Sequence, residues 1–136
     1  MSTTPLALPV AIAVGGAAGA LARHYLAFAV MRLQEQVIGG QFPAGIFIVN
    51  ILGSFLMGLL VGGLAERLGL GLSARAALQV GFLGAFTTFS TFSLDTVLLW
   101  ERGDHLQAAG YVIGSVALAV LGLVAGLRLM QSILTA

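Results

Sequence analysis

The chain has 136 residues, of which 59% are hydrophobic and only 8% charged, too few polar side chains to cover a water-soluble domain of this size. All six basic residues are arginines, the net charge is +1, and their scatter excludes the clustered basic face that nucleic-acid binding requires. With no cysteine, disulfide frameworks and thiolate metal sites are excluded as well.

Taken in order, the first apolar run extends from Pro5 to about Arg32 and contains Gly15, Gly16 and Gly19. Its first basic residue is Arg23, so the positive leader of a signal peptide is missing. The run also exceeds the roughly 20 residues that cross a bilayer, which predicts a retained transmembrane helix. Three more helices follow, giving predicted spans of about 6–32, 44–65, 74–100 and 107–130. Pro43 opens the second, at a position where its missing N–H is harmless. The connections Leu33 to Phe42, Glu66 to Ser73 and Glu101 to Leu106 are short and hold most of the charges. The reading is one all-α domain of four transmembrane helices, multi-pass in the cell membrane, with the lipid bilayer as its solvent.

Four spans put both termini and the second connection on one side, with Arg67, Arg75 and Arg128; Arg32 and Arg102 lie on the other. Arginine bias normally sets orientation, and this near balance leaves both orientations open. Glycines four apart recur at Gly15 and Gly19, Gly58 and Gly62, Gly110 and Gly114, and Gly122 and Gly126. Small residues at that spacing let helix backbones approach closely in lipid. Four short helices enclose little space, so a polar path forms most easily between two copies of the chain.

Two polar residues inside spans stand out. An arginine toward the middle of a span costs about 2.5–3.5 kcal/mol unless it faces protein or water, so Arg23 either lines an aqueous vestibule or snorkels to the interface. Asn50, in the apolar run GIFIVNILGSF, must find hydrogen-bond partners or leave its amide unpaired in hydrocarbon.

The third span holds the densest chemistry, in GFLGAFTTFSTFSLDT from Gly81 to Thr96. Five of the seven residues from Thr87 to Ser93 carry hydroxyls, and the other two are Phe89 and Phe92. As one continuous helix, Phe82, Phe86, Phe89 and Phe92 would share a broad stripe opposite Thr87, Thr88 and Thr91. Serine and threonine, however, bond back to carbonyls a turn earlier and bend helices, which predicts a break near the centre of the span, around Gly84 to Thr88. Carbonyls freed there would need protein, water or a cation. Phenylalanine edges carry partial positive charge, so rings turned into a narrow passage can contact a small anion without the strong binding of a fixed cation. The residues by themselves thus point to an anion pathway.

Together with GGAAGALARHYL in the first helix and GIFIVNILGSF in the second, this segment resembles the small fluoride channels of the Fluc, or CrcB, family, and the likeness extends through all four helices. The resemblance implies an antiparallel, dual-topology homodimer with a fluoride pathway and a structural sodium ion at its centre. It further implies that Phe89 and Phe92 are the pore phenylalanines, and that Asn50 reaches toward them. Gly84 and Thr87 would hold sodium through main-chain carbonyls. Ser90, Thr91 and Ser93 would be pore-lining or packing hydroxyls, Tyr111 and Ser115 a polar track, and Arg23 a vestibule residue. Two departures from the pattern stand out: Ala119 in place of a serine, and Asp95 where many relatives have glutamate.

Other classes make different demands. A small proton-coupled exporter of cations needs a carboxylate embedded in the first helix, and none lies between Pro5 and Arg32. A non-transporting assembly subunit would use the hydroxyl run only as glue between helices.

Overall fold

A computed structural model describes residues 6–135, and every regular element among them is helical. Helix α1 is Ala7–Val37, α2 is Ala44–Arg67, α3 covers residues 72–86, α4 is Phe89–Glu101 and α5 is His105–Thr135. Helices α3 and α4 together form the third of four spans long and apolar enough to cross a membrane. At 1.5 Å per residue the 31-residue α1 and α5 reach about 46 Å, well beyond a hydrocarbon layer of about 30 Å. Their ends therefore stand among the headgroups.

Helix α1 runs past the expected boundary near Arg32. The stretch Leu33 to Ile38 holds no helix breaker, and the chain turns only at Gly39 and Gly40, both with positive φ. Helices α2 and α4 share one ending. Gly69 (φ 62°) donates to the Glu66 carbonyl while Leu70 donates to that of Ala65; Gly103 (φ 82°) donates to Trp100 while Asp104 donates to Leu99. In both, a left-handed glycine lets the chain fold back onto the last carbonyls, the Schellman arrangement.

Helices α2 and α5 lie along each other, and α1 lies along α3. Three of the four glycine pairs make these contacts. A side chain at Gly58 would strike the Leu123 carbonyl, one at Gly126 the Phe55 carbonyl, and one at Gly15 or Gly19 the carbonyl of Ala77 or Phe82. Gly110 differs, with nothing within 4 Å of where its side chain would be. One cluster of Phe92, Leu99, Ala108 and Tyr111 joins α4 to α5, and a second of Leu60, Ala65 and Leu83 joins α2 to α3. Outside these clusters Val49, Phe86 and Met130 are also buried, but many large apolar side chains face outward, and in α1 only Gly19 is buried. That inversion of the usual pattern suits a chain whose solvent is lipid.

Candidate functional site

Within the third span the helical ladder stops at Phe86 and resumes at Phe89. Thr87 (φ −82°, ψ 155°) and Thr88 (φ −151°, ψ 120°) are extended, and extended backbone at membrane depth must be satisfied within the protein. Asn50 does this. The Thr88 N–H donates to Asn50 Oδ1 at 2.8 Å, and Asn50 Nδ2 donates to the Thr88 carbonyl at 3.1 Å. A side-chain amide from α2 thus takes the place of a neighbouring strand. Gly53, three residues on, permits the approach, because a Cβ there would collide with the Thr87 methyl group.

The hydroxyls have local tasks. Thr88 Oγ1 accepts from the Thr91 N–H at 3.2 Å, capping α4, and it also bonds Thr91 Oγ1 and Ser90 Oγ, each at 3.1 Å. Thr87 donates to the Leu83 carbonyl at 3.0 Å, and Ser93 to that of Phe89 at 2.9 Å. The aromatic stripe expected of one continuous helix is accordingly divided. Phe82 and Phe86 stack at 5.9 Å and 8°, while Phe89 and Phe92 form a separate tilted pair at 5.4 Å and 42°.

The break also changes the standing of two carbonyls. In an uninterrupted helix the Thr88 N–H would bond Gly84, and the Thr91 N–H would bond Thr87. Both donors are diverted, one to Asn50 and the other to Thr88 Oγ1. Gly84 and Thr87 thus present main-chain oxygens released from the ladder, the neutral donors with which unwound segments coordinate sodium in lipid. Among the described residues, no group of three or more His, Asp or Glu side chains could hold a metal.

Beside the break lies an open cleft of about 250 Å³, lined by Asn50, Ser54, Thr87, Thr88, Phe89, Phe92, Ser115, Val116 and Ala119. Ser115 is buried, and its Oγ has no hydrogen-bond partner. Asn50 spends one amide N–H on Thr88 and keeps the other. Phe92 is 8% exposed and anchors one wall, whereas Phe89, 78% exposed, projects from the rim. The cleft therefore offers an O–H, an N–H and two ring surfaces, with no charged side chain in its lining. Such a set can replace part of the water around a small anion.

The expected site residues divide accordingly. Asn50, Phe89, Phe92, Thr87 and Ser115 converge on the cleft, whereas Ser90, Thr91 and Ser93 are absent from its lining. Tyr111 lies behind Phe92, fully buried, with ring centroids 5.3 Å apart, and donates to Asp95 Oδ2 at 3.1 Å. It supports the wall from behind. Ala119 does face the cleft, so that stretch is apolar. Arg23 lines a different depression, with His24, Phe28, Met31 and Ile46. Sequence reasoning missed Ser54, although it stands one helical turn after Asn50, a spacing that puts both on one face.

Four apolar spans, the third interrupted and bridged by a side-chain amide, define a small multi-pass membrane protein built around a polar cleft. Residues 10–127 match the family described as CrcB-like protein, Camphor Resistance (CrcB), and the chain belongs to that family. Among its relatives, the fluoride-specific ion channel FluC of Phenylobacterium zucineum (strain HLK1) is 50% identical over 123 residues, covering 90% of this chain and 94% of the relative. The fluoride-specific ion channel FluC 2 of Nitrobacter hamburgensis is 49% identical over 118 residues, 87% and 92% of the two chains. FluC of Chelativorans sp. (strain BNC1) is 47% identical over 123 residues, 90% and 95% of the two chains.

Proposed function

We propose that this protein is a fluoride-selective channel through which fluoride leaves the cytoplasm passively, down its electrochemical gradient. The observation that carries this reading is the unpartnered, buried Ser115 hydroxyl, set in a polar cleft beside Phe89 and Phe92. Fluoride is small and strongly hydrated, so it enters a low-dielectric passage only where donors replace its water. Ser115, the free N–H of Asn50 and the ring edges of Phe89 and Phe92 supply them. Because none of these groups is cationic, binding stays weak enough for release, as conduction requires.

The channel works as an antiparallel homodimer. In a single protomer the Phe89 ring stands uncovered and the cleft is open along one side, so a second copy is needed to close the passage. A structural sodium ion, held by the Gly84 and Thr87 carbonyls, offsets the partial negative charge of oxygens that the broken ladder leaves free. Asn50 has two duties here: it holds the backbone at Thr88 and offers its remaining N–H to the ion.

The test is fluoride efflux from proteoliposomes, followed with a fluoride electrode against a chloride control. Wild-type protein should pass fluoride and exclude chloride. Phe89→Ile and Asn50→Asp should each sharply reduce fluoride flux while assembly survives; the aspartate still accepts from the Thr88 N–H, though it no longer donates to the Thr88 carbonyl. Equal passage of both halides, or unchanged flux in both variants, overturns the reading.

A further inference from the structure

Where α1 emerges from the bilayer, a second depression of about 430 Å³ lies between Phe28, Met31, Arg32 and Glu35 of α1, Gln41 of the following turn, and Arg102 at the end of α4. We propose that it binds the phosphate of a membrane phospholipid whose headgroup carries a net charge of −1. Both guanidinium groups are held in place, and neither lies within ion-pair distance of a carboxylate among the described residues, while Asp95 is near enough to Arg102 to interact with its charge. Arg32 sits over the Phe28 ring, 5.6 Å from its centroid. Arg102 donates from Nε to the Leu98 carbonyl at 3.2 Å and from Nη1 to Gln41 Oε1, both uncharged acceptors, which leaves three of its five N–H groups. The ion pair found among the described residues, Arg75 with Glu66, is at the opposite end of the molecule.

Charge and depth select the occupant. Two arginines and one glutamate line the depression, and +2 −1 = +1 matches one phosphodiester. A dianion would meet the Glu35 carboxylate uncompensated. The floor is apolar, with Phe28 56% and Met31 38% exposed, so a free anion would strand that surface in water while a lipid would cover it. Trp100, exposed two residues before Arg102, is of the type that gathers at the headgroup level. Helix α1 also overruns the hydrocarbon layer by several residues, which sets Arg32 near that level. Basic pockets between spans are suited to such headgroups.

The experiment offers delipidated protein in detergent phosphatidylglycerol or phosphatidylcholine of the same acyl chains and counts retained lipid by native mass spectrometry. Phosphatidylglycerol should be retained about fivefold or more over phosphatidylcholine, the scale expected for one net positive charge at the interface. Arg32→Gln combined with Arg102→Gln should remove that preference, and Glu35→Gln, which raises the local charge, should increase it. The Glu35 variant decides the matter even if the double variant does not fold. Equal retention of both lipids, a preference that survives the double variant, an unmoved Glu35→Gln, or displacement of the lipid by millimolar inorganic phosphate overturns the assignment. No transport is measured, so this proposal and the fluoride reading fail separately.

Discussion

The seam between α2 and α5 and the crossing of α2 with the third span solve opposite problems on one helix. Around Gly58 and Gly126 the seam is made by regular helix, and these glycines contribute by having no side chain in the way of a facing carbonyl, while Gly63, further along α2, is kinked with φ 131°. At the crossing the backbone of Thr87 and Thr88 leaves the ladder, and Asn50 must supply what the helix gave up. In lipid, closed backbone calls for smallness and open backbone calls for a specific donor and acceptor. The polar cleft collects at the second kind of place, because there the backbone leaves the ladder and polar side chains gather around it.

This contrast can be broken most severely at Asn50. Asn50→Leu leaves the Thr88 N–H and carbonyl both unpaired, at about 1–3 kcal/mol for each group. The protein should lose its sharp thermal transition in detergent, followed by gel filtration after heating. Gly126→Ala comes next, since its methyl would strike the Phe55 carbonyl and overpacking costs about 1–3 kcal/mol. A lower melting temperature is expected there, with the polar cleft around Asn50 left unaltered. Thr88→Val removes the cap of α4 but not the bonds to Asn50, so about 1 kcal/mol should be lost. Parallel melts of Asn50→Leu and Thr88→Val would separate bridge from cap. Gly110→Ala should not lower the melt and should raise stability by up to about 1 kcal/mol, because it lies inside α5 and no other helix among the described residues comes within 4 Å of where its side chain would be. A large loss at Gly110 would instead mark a surface on which another chain packs.

The fold was legible to different depths along the chain. Helices α2 and α5 follow from apolar runs bounded by Pro43 and Gly103, where the signals are local. The end of α1 was misplaced because Leu33 to Ile38 is polar enough for a loop yet contains nothing that stops a helix. In the candidate site, Asn50, Phe89 and Phe92 stood out as costly or unusual residues in lipid, and glycine and hydroxyl density marked Gly84 to Thr88 as a weak stretch of ladder. Ser90, Thr91 and Ser93 were harder to assign, since a hydroxyl can cap, bond back or face a ligand with the same sequence signature.

Composition pointed to a bilayer, because a chain with so few charges cannot cover a water-soluble surface, and the four separate apolar runs gave the four crossings. Residue identities also singled out the hydroxyl and phenylalanine segment, since polar groups at that depth have to be accounted for. The pairing of Asn50 with Thr88, the unpartnered Ser115 and the meeting of Arg32 with Arg102 came only from the packed chain. Asn50 and Thr88 are 38 positions apart, and Arg32 and Arg102 are 102 − 32 = 70 apart. Which distant groups meet depends on how closely glycines let helices approach, a property of two surfaces together that neither segment carries by itself.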